Sequence, residues 1–324
     1  MKRFLFQSLR VGISLGLLYY LVSLTDYHKI ITALTNVNTG PLVAAGATFL
    51  LSIVILAFRW RVLTRAYGLK STYPELVVFY LIGLFFNNFL PTSIGGDLSR
   101  AYYLGQVSGD RAASIGTVFL ERVIGLLATL SLAMLSLFWL LSNFNSNRIL
   151  YFTLGVAAFL AIFVAMVMSR RLYNRLKGWI SRISLYHIGE RIIRVLDTLH
   201  FYRDKKTVLI QTFFLSLASQ ITLVMMNFIL ARAIGINEVP LGYFFLVVPV
   251  TFVFSLMPSI NGIGVRETGY VLLLNKYAVL HHLALSLSFL VTILPLLISI
   301  VGGILFMFYR AKGLEMPDLS EERL

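Results

Sequence analysis

The chain has 324 residues, of which 58% are hydrophobic and 13% are charged. A soluble domain cannot have this composition, because several runs of about 18 or more apolar residues would be exposed to water. The formal net charge is +14, but the basic residues lie between apolar runs, which indicates contact with an anionic membrane surface and not with nucleic acid. No cysteine is present, which excludes disulfides, thiolate catalysis and cysteine-ligated metals.

The apolar runs predict an all-α, polytopic membrane protein with about six spanning helices. The first run follows a basic N-terminus but has no Ala-x-Ala-like cleavage site after it, so an uncleaved span is predicted there and not a removed signal peptide. Two further apolar segments, residues 73–106 and 241–280, are each interrupted near the middle. The predicted spans are Leu9–Leu24, Pro41–Phe58, Ala112–Leu141, Ile149–Met168, Val208–Ala233 and Leu283–Phe308.

The two interruptions share one pattern, in which proline and glycines break the helix and ionisable residues follow. Non-helical backbone and ions at membrane depth are tolerated only where protein or water surrounds them, so the pattern predicts two re-entrant helical hairpins. The alternative is that the prolines only kink two ordinary spanning helices. The first break contains Pro91, Gly95 and Gly96, followed by Asp97 and Arg100, and the second contains Pro258, Asn261, Gly262 and Gly264, followed by Arg266 and Glu267.

The basic residues indicate the orientation. If both hairpins turn back, most of them, including Arg59 and those of a polar linker at residues 170–206, are cytoplasmic, and both termini are cytoplasmic in the cell membrane. The hairpins of residues 41–141 and 207–310 then enter from opposite sides, which predicts an inverted repeat within a single transmembrane domain, residues 1–312. The linker has apolar residues at helical spacing and is predicted to form amphipathic interfacial helices or a simple elbow. Residues 313–324 are predicted to form a short cytoplasmic tail.

The first break has the chemistry of an anion site. Gly95 and Gly96 permit backbone angles that are closed to other residues, and Asp97 is predicted to cap the returning helix. The N-terminus of that helix, together with Arg100, favours an anion such as a phosphate headgroup. Arg266 at the second break extends the same chemistry, because a guanidinium donates two parallel hydrogen bonds to phosphate.

Carboxylates near these arginines would repel a phosphate unless arginines hold them. We therefore predict one buried ionic cluster that re-pairs as a headgroup passes, with Asn261 as an additional hydrogen-bonding group. The alternative for each ionic residue is a static salt bridge that locks the hairpins. No catalytic residue, metal site or cofactor is predicted, since no recognised catalytic or metal motif occurs. The predicted cluster comprises Asp97, Arg100, Glu121, Arg122, Arg266 and Glu267.

Three motifs in order resemble the signatures of the flippase-like, lysylphosphatidylglycerol synthase transmembrane-region family. They are Leu90-Pro-Thr-Ser-Ile-Gly-Gly-Asp-Leu-Ser-Arg100, Glu121-Arg-Val-Ile-Gly-Leu126 and Pro258-Ser-Ile-Asn-Gly-Ile-Gly-Val-Arg-Glu267. In the best-known members, the multiple peptide resistance factors, such a region is joined to a domain that aminoacylates phosphatidylglycerol. The 324 residues leave no room for that domain, so we expect a stand-alone membrane part.

The resemblance implies a flippase that moves a phospholipid, glycolipid or isoprenoid lipid between leaflets through a central charged cavity. Its partners are then membrane lipids with an anionic or zwitterionic headgroup, and no nucleic acid. Two other hypotheses stay open: an integral-membrane enzyme acting on a lipid-linked phosphate, and a non-transporting accessory subunit of an envelope lipid pathway. A homo-oligomer and a separate lipid-modifying enzyme are further partners that the sequence leaves open.

Overall fold

The computed structural model describes residues 27–89, 95–141, 188–255 and 264–311. It also describes the single residues Leu21, Gly155, Ala158, Ser169, Asn174, Arg175, Gly178 and Gly262. Throughout this part of the chain the regular structure is helical and includes no strand, which confirms the all-α prediction. The helices are α1 (Tyr27–Thr35), α2 (Thr39–Tyr67), α3 (Tyr73–Phe89), α4 (Gly95–Ser108), α5 (Arg111–Leu141), α6 (Ile188–Tyr202), α7 (Lys206–Ala233), α8 (Leu241–Ser255), α9 (Val265–Leu274) and α10 (His281–Ala311).

Four helices are long and apolar enough to cross a membrane. They are α2, most of α5, α7 and α10, with candidate spans at Thr39–Tyr67, Arg111–Ser136, Lys206–Ala233 and His281–Tyr309. These helices coincide with four of the predicted spans, and they identify a multi-pass membrane protein. Apart from Leu21, Gly155 and Ala158, the other two predicted spans, Leu9–Leu24 and Ile149–Met168, lie outside the described residues.

Helices α3 and α4 form an antiparallel pair in the first interrupted segment. The rings of Phe79 and Tyr103 stack with 5.5 Å between their centroids. Nearer the break, the Gly96 N–H donates to Asn87 Oδ1 at 2.9 Å. A Cβ atom on Gly96 would collide with the carbonyl oxygen of Gly83 and with Asn87, so the two backbones are in direct contact here. Pro91 lies outside the described residues.

Gly96 therefore has a different role from the one its sequence context predicted. It lies inside α4, and it is not among the described glycines with positive φ. Its small size is required for the close approach of α3, and an unusual backbone angle is not. Gly95, the other glycine of this break, is the first residue of α4.

Helices α8 and α9 form a second antiparallel pair, in which the Tyr243 hydroxyl donates to the carbonyl oxygen of Leu273 at 2.8 Å. Gly262 and Gly264 precede α9 with φ angles of 79° and 86°, values that residues with a Cβ atom rarely adopt. The chain direction at this break thus depends on glycine. Pro258 and Asn261 lie outside the described residues.

The chain divides into two compact units. The α3–α4 unit contains residues 53–89, 95–127, 188–216 and 298–311 of the described chain. The α8–α9 unit contains residues 27–52, 128–141, 217–255, Gly262 and 264–297. Each unit consequently combines one pair of short helices with one portion of each of the four long helices.

The core of the α3–α4 unit is aromatic, and it includes Trp60, Phe79 and Tyr103. Helix α6, which lies within the predicted linker, is fixed to this unit by Tyr202, whose buried hydroxyl donates to the carbonyl oxygen of Leu63 at 2.7 Å. Burial raises the pKa of Tyr202, so the phenol stays protonated and keeps this hydrogen bond.

Candidate functional site

The α3–α4 unit contains a carboxylate, that of Glu121 on α5, which is fully buried. Arg59 on α2 donates to Glu121 Oε1 from Nη2 at 2.7 Å and from Nε at 3.2 Å. Arg100 on α4 donates from Nη1 to Oε2 at 3.0 Å. The Tyr80 hydroxyl on α3 also bonds to Oε1. One acidic side chain therefore joins four helices that come together only in the folded chain.

Asp97 extends this network toward the surface. Arg100 Nη2 donates to Asp97 Oδ1 at 2.7 Å, and Arg122 Nε bonds to Asp97 Oδ2. The Asp97 side chain is 14% exposed, whereas that of Arg122 is 45% exposed. Asp97 lies in the first turn of α4, where the helix dipole favours a negative charge. It was predicted to cap this helix, but its carboxylate instead binds two arginines from within the helix.

The position of Arg100 is fixed by aromatic rings as well as by carboxylates. Its guanidinium lies 4.1 Å from the ring centroid of Tyr80 and 5.1 Å from that of Trp60. Gly83 provides space for the side chain, because a Cβ atom there would lie 2.7 Å from Arg100 Cγ. Cation–π contacts of this kind stabilise a buried guanidinium that has left water.

We call Arg59, Asp97, Arg100, Glu121 and Arg122 the arginine–carboxylate cluster. It contains three positive and two negative groups, so its formal charge is +1. Arg59 and Arg100 share Glu121, and Asp97 binds Arg100 and Arg122, so the surplus belongs to the cluster as a whole, which reaches the surface at the half-exposed Arg122. An anion placed at that side would neutralise the cluster, which makes anion binding the chemistry that this arrangement supports.

Arg59 and Tyr80 were missed as site residues by the sequence analysis. Arg59 was assigned to the cytoplasmic basic residues because the predicted span ended at Phe58. In the structure α2 continues to Tyr67, and Arg59 is only 6% exposed. Its Nη1 also donates to Ser216 Oγ on α7 at 2.9 Å.

The α8–α9 unit contains a second polar network, centred on Glu267 of α9. This carboxylate is 2% exposed and accepts from the Gly264 N–H at 2.6 Å and from Ser288 Oγ at 3.1 Å. Arg266 Nη2 donates to Glu267 Oε1 at 3.0 Å and also to the Thr292 hydroxyl. The Arg266–Glu267 pair is neutral, and hydroxyl groups of α10 bind both side chains. The Nε atom of Arg266 is buried without a hydrogen-bond partner among the described residues.

The structure thus brings Asp97, Arg100, Glu121 and Arg122 into one network, and it pairs Arg266 with Glu267 in another. Each network lies within its own compact unit. A single cluster that unites both stays a prediction. Among the described residues, no group of three or more histidine or acidic side chains is arranged to hold a metal ion.

Comparison with known proteins gives a consistent family assignment. The family model described as the lysylphosphatidylglycerol synthase TM region matches residues 7–303. A UPF0104 membrane protein of Methanocaldococcus jannaschii is 22% identical, over 84% of each chain. One from Methanothermobacter thermautotrophicus is 27% identical over 68% of this chain and 70% of its own, and one from Pyrococcus horikoshii is 21% identical over 52% and 49%.

Proposed function

This chain belongs to the lysylphosphatidylglycerol synthase TM region family, and from that membership we propose that it is a translocase for a phosphate-bearing lipid. The cargo is a phospholipid, a glycolipid or an isoprenoid lipid, whose headgroup crosses a polar interior while its chains remain in the bilayer of the cell membrane. The observation that carries the proposal is the arginine–carboxylate cluster, which has a net positive charge and reaches the surface at the half-exposed Arg122.

The lengths of the paired helices support two re-entrant hairpins. Helices α3 and α4 have 17 and 14 residues, which corresponds to about 25 and 21 Å, less than the roughly 30 Å of a bilayer core. Helices α8 and α9, with 15 and 10 residues, are also shorter than a bilayer core, at about 23 and 15 Å. An antiparallel pair of such helices is suited to enter the membrane and return. With about six spans and two hairpins that turn back, both termini lie on the same side of the membrane. The distribution of basic residues favours the cytoplasmic side.

Matching positions in the two pairs support an inverted repeat. Pro91, Gly95 and Arg100 have the same spacing as Pro258, Gly262 and Glu267. Arg100 bonds to a residue 21 positions later, Glu121 on α5. Glu267 likewise bonds to a residue 21 positions later, Ser288 on α10. In both halves, the second short helix is thus hydrogen-bonded to the following long helix at one offset, as expected of structural repeats.

Electrostatics explains why such a site would speed lipid movement. A charged group at the bilayer centre costs from about 2.5 kcal/mol upward. Guanidinium groups that are already held in place can replace the water around a phosphate without further reorganisation. The net positive charge of the cluster favours that replacement, and Asp97 holds the half-exposed Arg122 in position.

The contacts of the Glu121 carboxylate favour a transporter over an enzyme. A general base needs a free acceptor position facing the proton that it removes. The Glu121 carboxylate already accepts hydrogen bonds from Arg59, Arg100 and Tyr80. Its oxygens are therefore occupied by structural partners, which favours transport over chemistry on a lipid-linked phosphate.

The test is lipid redistribution in proteoliposomes that contain the full chain and phosphatidylglycerol labelled on one acyl chain with a fluorophore. Quenching from outside measures the labelled lipid in the outer leaflet over time. We expect the protein to accelerate redistribution and Arg122→Gln to slow it about tenfold, because the substitution removes the surplus charge. Arg65→Gln is the matched control, since Arg65 is an exposed arginine of the same unit.

Redistribution no faster than in empty vesicles would reject the proposal. So would equal rates for Arg122→Gln, Arg65→Gln and the unaltered chain. Mass spectrometry of the recovered probe completes the experiment. A covalently changed lipid would favour the enzyme hypothesis, whereas an unchanged probe that has moved between leaflets supports translocation.

A further inference from the structure

A cavity of about 350 Å³ lies in the α8–α9 unit, apart from both polar networks. One wall is formed by one face of α1, with His28, Lys29 and Thr32, and by Asn36 directly after this helix. The other wall is made by Ile234, just after α7, and by the first turn of α10 with His282. The volume is within the range of small-molecule sites.

The walls of this cavity are fixed to one another by the backbone. The Asn38 N–H, in the connection between α1 and α2, donates to the carbonyl oxygen of Ala233 at 3.0 Å. The turn that carries Ile234 is closed by the Ile236 N–H, which donates to the carbonyl oxygen of Ala231 at 2.9 Å. The end of α7 therefore stays beside α1, and the cavity is a built feature.

The lining is rich in hydrogen-bond donors and basic groups. Lys29 supplies an ammonium group, His28 and His282 supply imidazoles, and Asn36 supplies an amide. Among the described residues that line the cavity, none is acidic. The first turn of α10 adds the partial positive charge of a helix N-terminus. This set of groups suits an anion with several acceptor oxygens.

We propose that this cavity binds a phosphate group through Lys29, His28 and His282. The source is either a lipid headgroup or soluble phosphate. Tyr27 and Ile31, on the same short helix, are 56% and 53% exposed, as expected for a helix that lies at a membrane surface. This exposure places lipid phosphates within reach of the cavity. The site does not depend on translocation, because its residues are separate from the arginine–carboxylate cluster.

The test is isothermal titration calorimetry on the full chain in detergent, with two probes used separately: inorganic phosphate and dihexanoyl phosphatidic acid. We expect saturable binding of at least one probe at the cavity, in addition to binding at the arginine–carboxylate cluster. The double variant Lys29→Gln, His282→Gln should weaken that binding about tenfold or more. Both side chains line a surface cavity, so an unchanged unfolding midpoint is expected and checks the fold.

The matched control is Lys276→Gln, which removes an exposed lysine of the same unit outside the cavity. It should bind like the unaltered chain. Loss of binding in the double variant alone supports the proposal, and the probe that binds identifies the source as lipid or soluble phosphate. Equal affinities in all three proteins, or no saturable binding of either probe, would overturn it.

Discussion

Arg59 and Glu121 are 62 residues apart in the chain and form a buried ion pair, with 2.7 Å between Arg59 Nη2 and Glu121 Oε1. The pair fastens α2 to α5 at a depth where neither charge can be hydrated. Arg100 shares the same carboxylate from α4. The stability of the α3–α4 unit consequently depends on one acidic residue.

Glu121→Gln should lower the free energy of unfolding by about 3 to 5 kcal/mol, because it leaves two buried arginines without their shared counter-charge. The measurement is denaturant unfolding of the chain in detergent. Glu238→Gln, at an exposed acid, should change stability by less than about 0.5 kcal/mol. The double variant Arg59→Gln, Glu121→Gln should lose less than the sum of the single losses. Equal losses for Glu121→Gln and Glu238→Gln would contradict this account.

Tyr80 contributes both a hydroxyl and a ring, and two substitutions separate them. Tyr80→Phe removes the hydrogen bond to Glu121 and a long one of 3.5 Å from Arg59 Nη2. It should cost about 1.5 to 3 kcal/mol of stability, the range for a bond to a charged group. Tyr80→Leu also removes the ring 4.1 Å from Arg100 and should cost about 2 kcal/mol more.

The comparison for the hydroxyl is Tyr73→Phe. Its hydroxyl donates to an uncharged acceptor, the carbonyl oxygen of Val54, at 2.9 Å. A loss of about 0.5 to 1.5 kcal/mol is expected. If Tyr73→Phe proved as costly as Tyr80→Phe, the charge on Glu121 would have no special part in holding Tyr80.

Arg100→Lys should not be conservative. Two different nitrogen atoms of Arg100 reach Asp97 at 2.7 Å and Glu121 at 3.0 Å, and a single ammonium cannot reproduce that planar bridge. A stability loss of about 2 kcal/mol is expected, together with slower lipid redistribution in proteoliposomes. Arg65→Lys, at an exposed position, provides the comparison. Full stability and full redistribution in Arg100→Lys would show that charge alone suffices.

Gly96→Ala should push α3 and α4 apart, because the new Cβ meets the backbone oxygen of Gly83. The expected loss is about 1 to 3 kcal/mol. Gly46→Ala is the matched control within a long helix, since its Cβ would have only an ordinary contact of 3.8 Å with Leu294. That variant should be neutral or more stable by about 0.5 to 1 kcal/mol. The measurement is the unfolding midpoint of both variants and of the unaltered chain. Equal midpoints for Gly96→Ala and Gly46→Ala would argue against backbone contact at Gly96.

The sequence was sufficient to identify four spans, because length and hydropathy alone decide whether a helix can cross a bilayer. It also pointed to Asp97, Arg100, Glu121 and Arg122, since ions within apolar segments need partners. It could not pair them, because pairing depends on which helix faces pack together. The role of Gly96 in the close approach of α3 could not be predicted either, because it depends on the same packing.

Arg59 shows what a finer interpretation could have recovered. Ala57, Trp60 and Leu63 continue the helical spacing on both sides of it, and all three are fully buried. That spacing signals a helix that does not end at Phe58. The hydroxyl of Tyr80 offered no comparable signal, because a tyrosine in an apolar helix is ordinary until its acceptor, 41 residues away, is known.

The order of synthesis gives the Arg59 contacts a further consequence. A ribosome completes Arg59 long before Glu121 and Ser216, its partners 62 and 157 residues later. When α2 first leaves the exit tunnel, its guanidinium has neither partner, and hydrocarbon is a costly environment for it. The early helix must therefore remain near water or the insertion machinery until α5 arrives. Assembly of the α3–α4 unit is complete only after α10, which supplies residues 298–311 of this unit, has been made.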